Sequence, residues 1–167
     1  MNLYLLRHAK AEERGAGFPD DSKRPLTKAG EKEMFRVAKG MRALELSFDL
    51  ILSSPFARAK RTAEIVAEVF KSNKLRMSQH LACAADARDL VRELNDDYAP
   101  LKNLLLVGHE PDLSKLVSRL SAGDERLSLH FKKAGLCKLT VGELRFGRCA
   151  RLEWLLTPGQ LDQMGKH

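Results

Sequence analysis

The chain has 167 residues, a length that fits one domain with a single hydrophobic core. Hydrophobic residues make up 44% of it and charged residues 31%, which is typical of a globular protein, and no apolar run approaches the roughly 18 residues that a membrane helix needs. The formal net charge of +7 favours anionic partners. Because the basic residues are scattered and form no basic tail, this charge does not predict a nucleic-acid-binding protein.

The N-terminus and the cysteines bear on the compartment. The first residues carry no charged stretch ahead of their apolar run, so they do not resemble a signal peptide, and we expect a cytoplasmic protein. The three cysteines, Cys83, Cys137 and Cys149, are odd in number and lie far apart. This pattern predicts neither a disulfide framework nor a zinc site, so we expect buried thiols.

Short apolar runs alternate along the chain with segments of helical periodicity. Buried strands are predicted at 3–6, 50–52 and 104–107, because each run is bounded by polar residues, Gly or Pro. Thr27 is a candidate N-cap for the first helix, and Pro111 marks the start of the fourth. The four helices are predicted from apolar stripes at helical spacing: Met34, Val37, Ala38 and Met41; Thr62, Ile65, Val66, Val69 and Phe70; Leu90, Val91 and Leu94; Leu113, Leu116, Val117 and Leu120.

Two strand-like segments near the C-terminal end, 136–141 and 151–156, are joined by a connector that contains Gly142 and Gly147. They predict a hairpin that adds an antiparallel edge to a sheet. Strands that alternate with helices predict βαβ units. The predicted fold class is therefore α/β, a three-layer sandwich with a mostly parallel central sheet, helices on both faces and an antiparallel edge. Since no linker or internal repeat interrupts the pattern, we expect a single domain over residues 1–167.

Basic and imidazole side chains lie where the predicted strands end. Arg7 and His8 follow the first strand. Arg58 lies in the first turn of the helix after the second strand, and His109 follows the third. In an open α/β sheet, ligands bind beyond the carboxyl ends of the strands, where helix N-termini also offer N–H groups and positive partial charge. Together these four side chains predict a site for a dianion.

Each of these residues also has a purely structural interpretation. A histidine after a strand is often a core or capping residue, and Arg58 alone could be a solvated helix residue. Ser53 and Ser54 could cap the helix that follows them. The structural interpretation would require several independent coincidences at one edge of one sheet, so we favour the anion site.

Three ordered motifs resemble those of the histidine phosphatase (phosphoglycerate-mutase-like) superfamily. They are LRHA at 6–9, SSPFARAKRTAE at 53–64 and VGHEP at 107–111. The short length, DDSKRPLTKAG at 20–30 and W-x-x-T-P at 154–158 resemble the SixA-type phosphohistidine phosphatases of that superfamily. The likeness runs over nearly the whole chain. It departs from the family pattern at Ala9, where the superfamily usually has Gly.

The resemblance implies a role for each residue of the predicted anion site. His8 would be the nucleophile and would be phosphorylated transiently, so that two easier steps replace one direct displacement by water. Arg7 and Arg58 would hold the phosphoryl oxygens, because a guanidinium fork matches phosphate and stays charged. His109 would contact the same oxygens and, when protonated, stabilise the transition state.

Three further residues are candidate substrate contacts by the same resemblance. Arg24 would touch the phosphate or its surroundings, and Asp21 would orient an arginine or handle a proton. Ser53, at the end of the second strand, is the third. The alternative for Asp21 and Arg24 is a solvated polar loop.

Larger members of the superfamily insert a helical lid, which often supplies a carboxylic general acid. Between Phe70 and Leu104 this chain has room only for a short strand, a loop and one helix, so we expect no lid subdomain and an open pocket. Asp86 and Asp89 are possible acids, although both could simply cap the next helix.

These features together predict a phosphatase that acts on phosphohistidine of a protein. Imidazole, with a reference pKa of about 6.5, leaves far more easily than an alkoxide and does not require a strong acid. One alternative is a phosphatase for small phosphorylated metabolites or other phosphoproteins, and another is a phospho-binding module without catalysis. Because binding alone would need only cations, the presence of both His8 and His109 favours catalysis.

The predicted cofactors and partners follow from what accompanies the histidines. No carboxylate cluster at metal-ligand spacing is present in the sequence, so we expect no metal or other cofactor. The expected partner is a phosphorylated protein, such as a phosphohistidine domain, or a small phosphorylated substrate, rather than nucleic acid or a membrane. We expect a monomer.

Overall fold

One mixed β-sheet organises the chain, for which the computed structural model describes residues 1–15 and 17–166. The strands are β1 (Asn2–Arg7), β2 (Leu50–Ser53), β3 (Leu75–Met77), β4 (Asn103–Gly108), β5 (Leu136–Val141) and β6 (Ala150–Leu156). The helices are α1 (Lys28–Ala43), α2 (Ala57–Phe70), α3 (Ala87–Tyr98), α4 (Asp112–Ala122) and α5 (Pro158–Met164). Short 3-10 helices lie at Asp21–Lys23 and Gln79–Leu81.

The strand order is β3-β2-β4-β1-β5-β6. The first four strands of this order run parallel, while β5 and β6 are antiparallel to their neighbours. Arg7 of β1 pairs with Gly108 of β4, and Ser53 of β2 pairs with Val107 of β4. The carboxyl ends of β1, β4 and β2 therefore lie side by side, which confirms the predicted mostly parallel sheet with an antiparallel edge.

Helices cover both faces of the sheet. Successive side chains of each strand point to opposite faces, so each face contributes to its own core. On one face, Tyr4 and Leu6 of β1 pack in a core with α1, α2 and α5. On the other face, Leu3 and Leu5 pack in a second core with α3 and α4. Since the β1 side chains from Leu3 to Leu6 are all buried, this strand is a central one, as its apolar run indicates. The three-layer arrangement is confirmed.

The helices begin largely where local sequence predicts. The Thr27 hydroxyl accepts a hydrogen bond from the Gly30 amide at 2.9 Å, which confirms the predicted N-cap of α1. Helix α5 is not predicted from the sequence pattern. This helix begins inside the W-x-x-T-P motif, where Thr157 and Gln160 form a reciprocal capping box.

The segment between α2 and β4 contains β3, the second 3-10 helix and α3, and no lid occurs in that stretch, all of which is described. The expectation of buried thiols holds for Cys137 but is wrong for Cys83, which is exposed in the loop before α3. Among residues 1–15 and 17–166, no helix is long and apolar enough to cross a membrane. The single domain over 1–167 stays a prediction, and its last residue lies outside the described part.

Candidate active site

The carboxyl edge of the parallel strands holds a cluster of His8, His109 and Arg58. The two imidazole rings lie with their centroids 5.2 Å apart, and the Arg58 Nε–H donates to His8 Nε2 at 3.3 Å. His8 follows β1 and His109 follows β4, while Arg58 lies in the first turn of α2. The structure therefore brings together three of the four residues predicted from strand ends, and all three are buried.

The neighbours of the His8 ring determine its tautomer. Nδ1 lies 2.8 Å from the carbonyl oxygen of Ala9. Since a carbonyl oxygen only accepts, Nδ1 carries the proton. Nε2 then carries no proton, and its lone pair accepts the long hydrogen bond from Arg58. The ring thus presents an unprotonated nitrogen to the cluster.

Both histidines are neutral at pH 7 in the absence of a ligand. Burial is the main reason that the pKa of His8 is lowered to about 3, against the opposing effect of its hydrogen bond to Ala9. Burial also lowers the pKa of His109 to about 4, and the charge of Arg58 contributes in the same direction. A phosphoryl dianion bound beside these rings would favour their protonated forms.

Arg58 is 2% exposed, and its charged end contacts two loops, one through Asp21 and the other through Cys83. Its Nη1 donates to the Asp21 carbonyl at 2.8 Å, and its Nη2 donates to the Asp21 carboxylate at 2.9 Å. Nη2 also lies 3.4 Å from Cys83 Sγ, and the guanidinium stacks 5.2 Å from the centre of the Phe56 ring. These contacts hold the charged end of Arg58 in one orientation.

Asp21 and Arg24 belong to the same network. Arg24 Nε donates to Asp21 Oδ1 at 2.9 Å, and Arg24 Nη1 donates to the Glu12 carbonyl at 2.7 Å. Although burial opposes it, the hydrogen bond from Arg24 and the charge of Arg58 lower the pKa of Asp21. Asp21 is therefore a carboxylate that orients two arginines, and the Arg24 side chain, 12% exposed, is not a solvated loop residue.

Arg7 approaches the cluster from the end of β1. Its Nη1 donates to the Phe131 carbonyl at 2.7 Å, and its Nε is buried without a partner among the described residues. Burial lowers the pKa of Arg7, while Glu110 opposes this. The charge of Arg7 also contributes to the lowered pKa of His8.

Ser53 does not present its side chain to this cluster. It is fully buried, and its hydroxyl donates to the Ser54 carbonyl at 2.9 Å rather than to a group of the cluster. Ser54, and not Ser53, lies against the cluster, with its Oγ 2.8 Å from His109 Nε2. From the sequence, Ser54 is predicted only as a possible helix cap, because alternation at a strand end does not tell which of two adjacent serines faces the site.

The two candidate acids before and within α3 have structural partners. Asp86 caps α3, where its carboxylate accepts the Arg88 amide at 2.8 Å. Asp89 accepts from Arg92 at 2.8 Å on the exposed side of the helix. The interpretation of Asp86 as a cap is confirmed. Among the described residues, no group of three or more His, Cys, Asp or Glu side chains is arranged to hold a metal ion.

A groove with a volume of about 550 Å³ opens beside the cluster. Cys83, which contacts Arg58, forms part of its wall, as does Arg14, whose Nε lies 3.5 Å from the Asp21 carboxylate. The groove continues past Arg88 and Lys115. An elongated ligand could therefore extend from the arginine network into this space.

The site combines two imidazoles, one of them a neutral nucleophile, with fixed guanidinium groups at one edge of an α/β sheet. This combination is typical of a class of phosphoryl-transfer proteins. The sequence model of the histidine phosphatase superfamily (branch 1) matches residues 3–82, which include His8 and Arg58. An uncharacterized protein from Picosynechococcus sp. is 37% identical over 146 residues, which are 87% of this chain and 88% of that protein. The chain belongs to the histidine phosphatase superfamily.

Solved structures place the fold more closely within this superfamily. The protein histidine phosphatase SixA in complex with tungstate matches with a TM-score of 0.83 and 24% identity, over 96% of this chain and 99% of that one. A putative SixA from Agrobacterium tumefaciens matches with a TM-score of 0.75 and 26% identity, over 94% and 97%. A putative alpha-ribazole-5'-P phosphatase from Escherichia coli matches with a TM-score of 0.70 and 20% identity, over 95% and 98%. The chain thus shares the fold of the SixA-type structures over nearly its whole length.

Proposed function

We propose that the protein removes the phosphoryl group from phosphohistidine on another protein, through a covalent phosphohistidine on its own His8. The observation that carries this proposal is the His8 ring, which is buried and neutral. Its Nδ1–H is held by the Ala9 carbonyl and its Nε2 lone pair faces a fixed guanidinium. This is the form that a nitrogen nucleophile needs at neutral pH.

The proposed reaction has two displacements at phosphorus. In the first, His8 Nε2 forms a bond to phosphorus while the bond to the substrate imidazole breaks. In the second, water attacks the phosphorylated His8 and releases inorganic phosphate, which returns the ring to its starting form. Arg7, Arg58 and His109 hold the phosphoryl oxygens in both steps, where the charge of the transition state is spread over these oxygens.

Two candidate proton donors, Asp21 and Asp86, are both engaged by other groups, which supports a good leaving group. Asp21 is paired with Arg24 and Arg58, and its pKa is lowered, so it does not hold a proton to donate. Asp86 is occupied as the cap of α3. An alkoxide would need such a proton from the enzyme, whereas a substrate imidazole that already carries a proton on its second ring nitrogen leaves as the neutral ring, whose conjugate acid has a pKa of about 6.5.

The surroundings of the cluster support a macromolecular substrate. Lys10 lies two residues after His8, and Lys133 precedes Ala134, whose amide donates to the carbonyls of Arg7 and His8 at 3.1 and 3.2 Å. Burial lowers the pKa of Lys133, and the charges of Arg7, Arg24 and Lys10 lower it further. With no lid over it, this positive rim suits an acidic protein surface around the phosphohistidine.

A small phosphorylated metabolite is a second candidate substrate, and the groove beside the cluster favours it. A cavity of about 550 Å³ is large enough for a drug-sized molecule. Its wall carries both signs of charge, because Arg14 and Lys115 line it as well as Glu110 and Asp112. A phosphate ester bound at Arg58 could place its organic part there.

A substrate panel distinguishes the two candidates. We expect the highest kcat/KM for a phosphohistidine protein, against phosphoserine, phosphotyrosine and sugar phosphates measured in parallel. Equal or faster turnover of a sugar phosphate would contradict the proposal and support the metabolite substrate.

A trapping experiment tests the covalent intermediate. Labelled phosphate from the substrate should appear on the protein in acid-labile form in a rapid quench, and His8→Ala should lose both the label and the activity. His80→Ala, at an exposed position, is the matched control and should keep both. Turnover by His8→Ala at the wild-type rate would refute the role of His8.

A further inference from the structure

Ser54 is the side chain that links the end of β2 to the His109 ring. It is fully buried, and its amide donates to the Val107 carbonyl at 2.9 Å, which holds it against β4 just before His109. Its Oγ lies 2.8 Å from His109 Nε2. The same oxygen accepts the Phe56 amide at 3.2 Å. The Ser54 hydroxyl is therefore held by a backbone amide on one side and contacts the His109 ring on the other.

A count of donors and acceptors decides the direction of the Ser54–His109 hydrogen bond. If Ser54 donates to Nε2, its proton and both of its contacts are satisfied, and one group, the His109 Nδ1–H, has no partner among the described residues. If Nε2–H donates instead, the buried Ser54 proton has no acceptor among the described residues. Buried hydroxyl protons are rarely left without a partner, so the first arrangement is favoured.

We infer that Ser54 is a positioning residue for His109, which fixes its ring as the tautomer with a proton on Nδ1. Nδ1 is buried and has no partner among the described residues. It is therefore the ring donor left free for an oxygen of a bound phosphoryl group. The opposite tautomer would put a lone pair on that nitrogen, which repels an anion.

A hydroxyl also suits both charge states of His109. It donates to Nε2 of the neutral ring and can rotate to accept from Nε2–H of the protonated ring. Ser54 thus keeps the ring in place if the bound dianion raises its protonation. An alanine would provide neither contact. This inference rests on the proposed role of His109 beside the phosphoryl group.

Side-chain ¹⁵N NMR of the wild-type protein without substrate tests the tautomer directly. We expect His109 to show a protonated Nδ1 and an unprotonated Nε2 at neutral pH, and we expect Ser54→Ala to lose this single form. A proton on Nε2 of the wild-type ring would overturn the inference. Because this measurement needs no turnover, its outcome is separate from that of the proposed substrate.

Kinetics test the consequence for the reaction. Ser54→Ala should lower kcat about tenfold or more, with little change in KM, since the lost hydrogen bond leaves a buried imidazole nitrogen unsatisfied. Ser53→Ala is the matched control, because its hydroxyl is equally buried but donates to a backbone carbonyl. Ser54→Thr returns the hydroxyl and should recover part of kcat. Equal kcat values for Ser54→Ala and Ser53→Ala would contradict the inference.

Discussion

At the scale of single residues, the site is a balance between burial and positive charge. His8 and His109 are neutral because they are buried next to guanidinium groups, and neutrality is what allows Nε2 of His8 to hold a lone pair. Asp21 offsets part of this charge by bonding both Arg24 and Arg58. The site is thus set up electrostatically for a dianion.

Ala9, where the superfamily usually has Gly, is accommodated by the core. Its methyl is fully buried in the cluster that contains α1 and α2. Its amide donates to Thr62 Oγ1 at 3.1 Å, and its carbonyl accepts from His8. The methyl therefore packs away from the reacting ring, and the backbone of Ala9 keeps its role in fixing the His8 tautomer.

The lowered pKa values predict an acid-dependent stability. In the unfolded chain both histidines have pKa values of about 6.5, against about 3 for His8 and about 4 for His109 in the folded protein. Below pH 6.5 the unfolded chain therefore binds more protons. The free energy of unfolding should fall as the pH decreases towards 4, by up to about 1.4 kcal/mol per pH unit for each histidine.

Urea unfolding across this pH range measures the slope. His8→Ala should reduce the change of the free energy of unfolding per pH unit by the contribution of one histidine. His80→Ala, at an exposed position, is the control for loss of an imidazole. A wild-type slope that persists in both His8→Ala and His109→Ala would show that these residues do not carry the effect.

At the scale of elements, each parallel strand and its following helix contribute one part of the site. β1 carries His8, β2 and α2 contribute Ser54 and Arg58, and β4 carries His109. Adjacent registers between β1, β4 and β2 place these parts together. On the face of the sheet that α1 covers, α5 packs against the C-terminal half of α1.

The contact between α1 and α5 depends on Gly40. A Cβ at this position would lie 1.8 Å from the Leu161 carbonyl oxygen, so Gly40→Ala must push the two helices apart. We expect the free energy of unfolding to decrease by about 1–3 kcal/mol, the usual cost of overpacking. The kcat of the folded enzyme should be unchanged, because the atoms that a Gly40 Cβ would meet belong to Leu161 and not to His8, His109 or Arg58.

Thermal or urea denaturation measures the effect on stability. Gly159→Ala is the matched control, since a Cβ there meets nothing within 4 Å and replaces Gly in a helix. It should leave stability unchanged or raise it by up to about 1 kcal/mol. Wild-type stability of Gly40→Ala would contradict the close contact.

At the scale of the whole molecule, part of the net charge of +7 lies around the site and part lies at the opposite edge of the sheet. Lys10 and Lys133 flank the strand ends that hold the site, while Lys74 and Lys102 directly precede β3 and β4 at the opposite edge of the sheet. A positive rim around an open site attracts an acidic protein surface over distances of about a Debye length, roughly 8–10 Å at physiological salt. A small substrate with one phosphoryl group feels less of this field.

The salt dependence of kcat/KM follows from this placement. For a phosphohistidine protein, kcat/KM should fall about tenfold from low to physiological ionic strength, and less for a small phosphoramidate. Replacing both Lys10 and Lys133 with Ala should weaken this dependence. The matched double variant, with Lys74 and Lys102 replaced by Ala, removes the same charge elsewhere and should keep it. Identical salt dependence for both double variants would refute a role of the rim.

Much of the fold could be predicted from the sequence because its signals are local. The apolar run at 3–6 and the helical stripes are periodic over a few residues, and Thr27 caps its helix through a contact only three residues away. The strand-end rule then predicted where His8, His109 and Arg58 would meet. The short helix α5 was missed because its seven residues bury a single side chain, Leu161, and show no stripe.

The sequence by itself thus determined the α/β class, the sheet edge that holds the site and three side chains that meet there. Only the tertiary structure decided the contacts between distant segments, such as Arg58 with Asp21, 37 residues apart, and Ser54 with His109, 55 residues apart. The physical reason is that the orientation of these polar side chains depends on which loop packs against them. A strand end does not encode which of two adjacent serines turns towards the neighbouring strand.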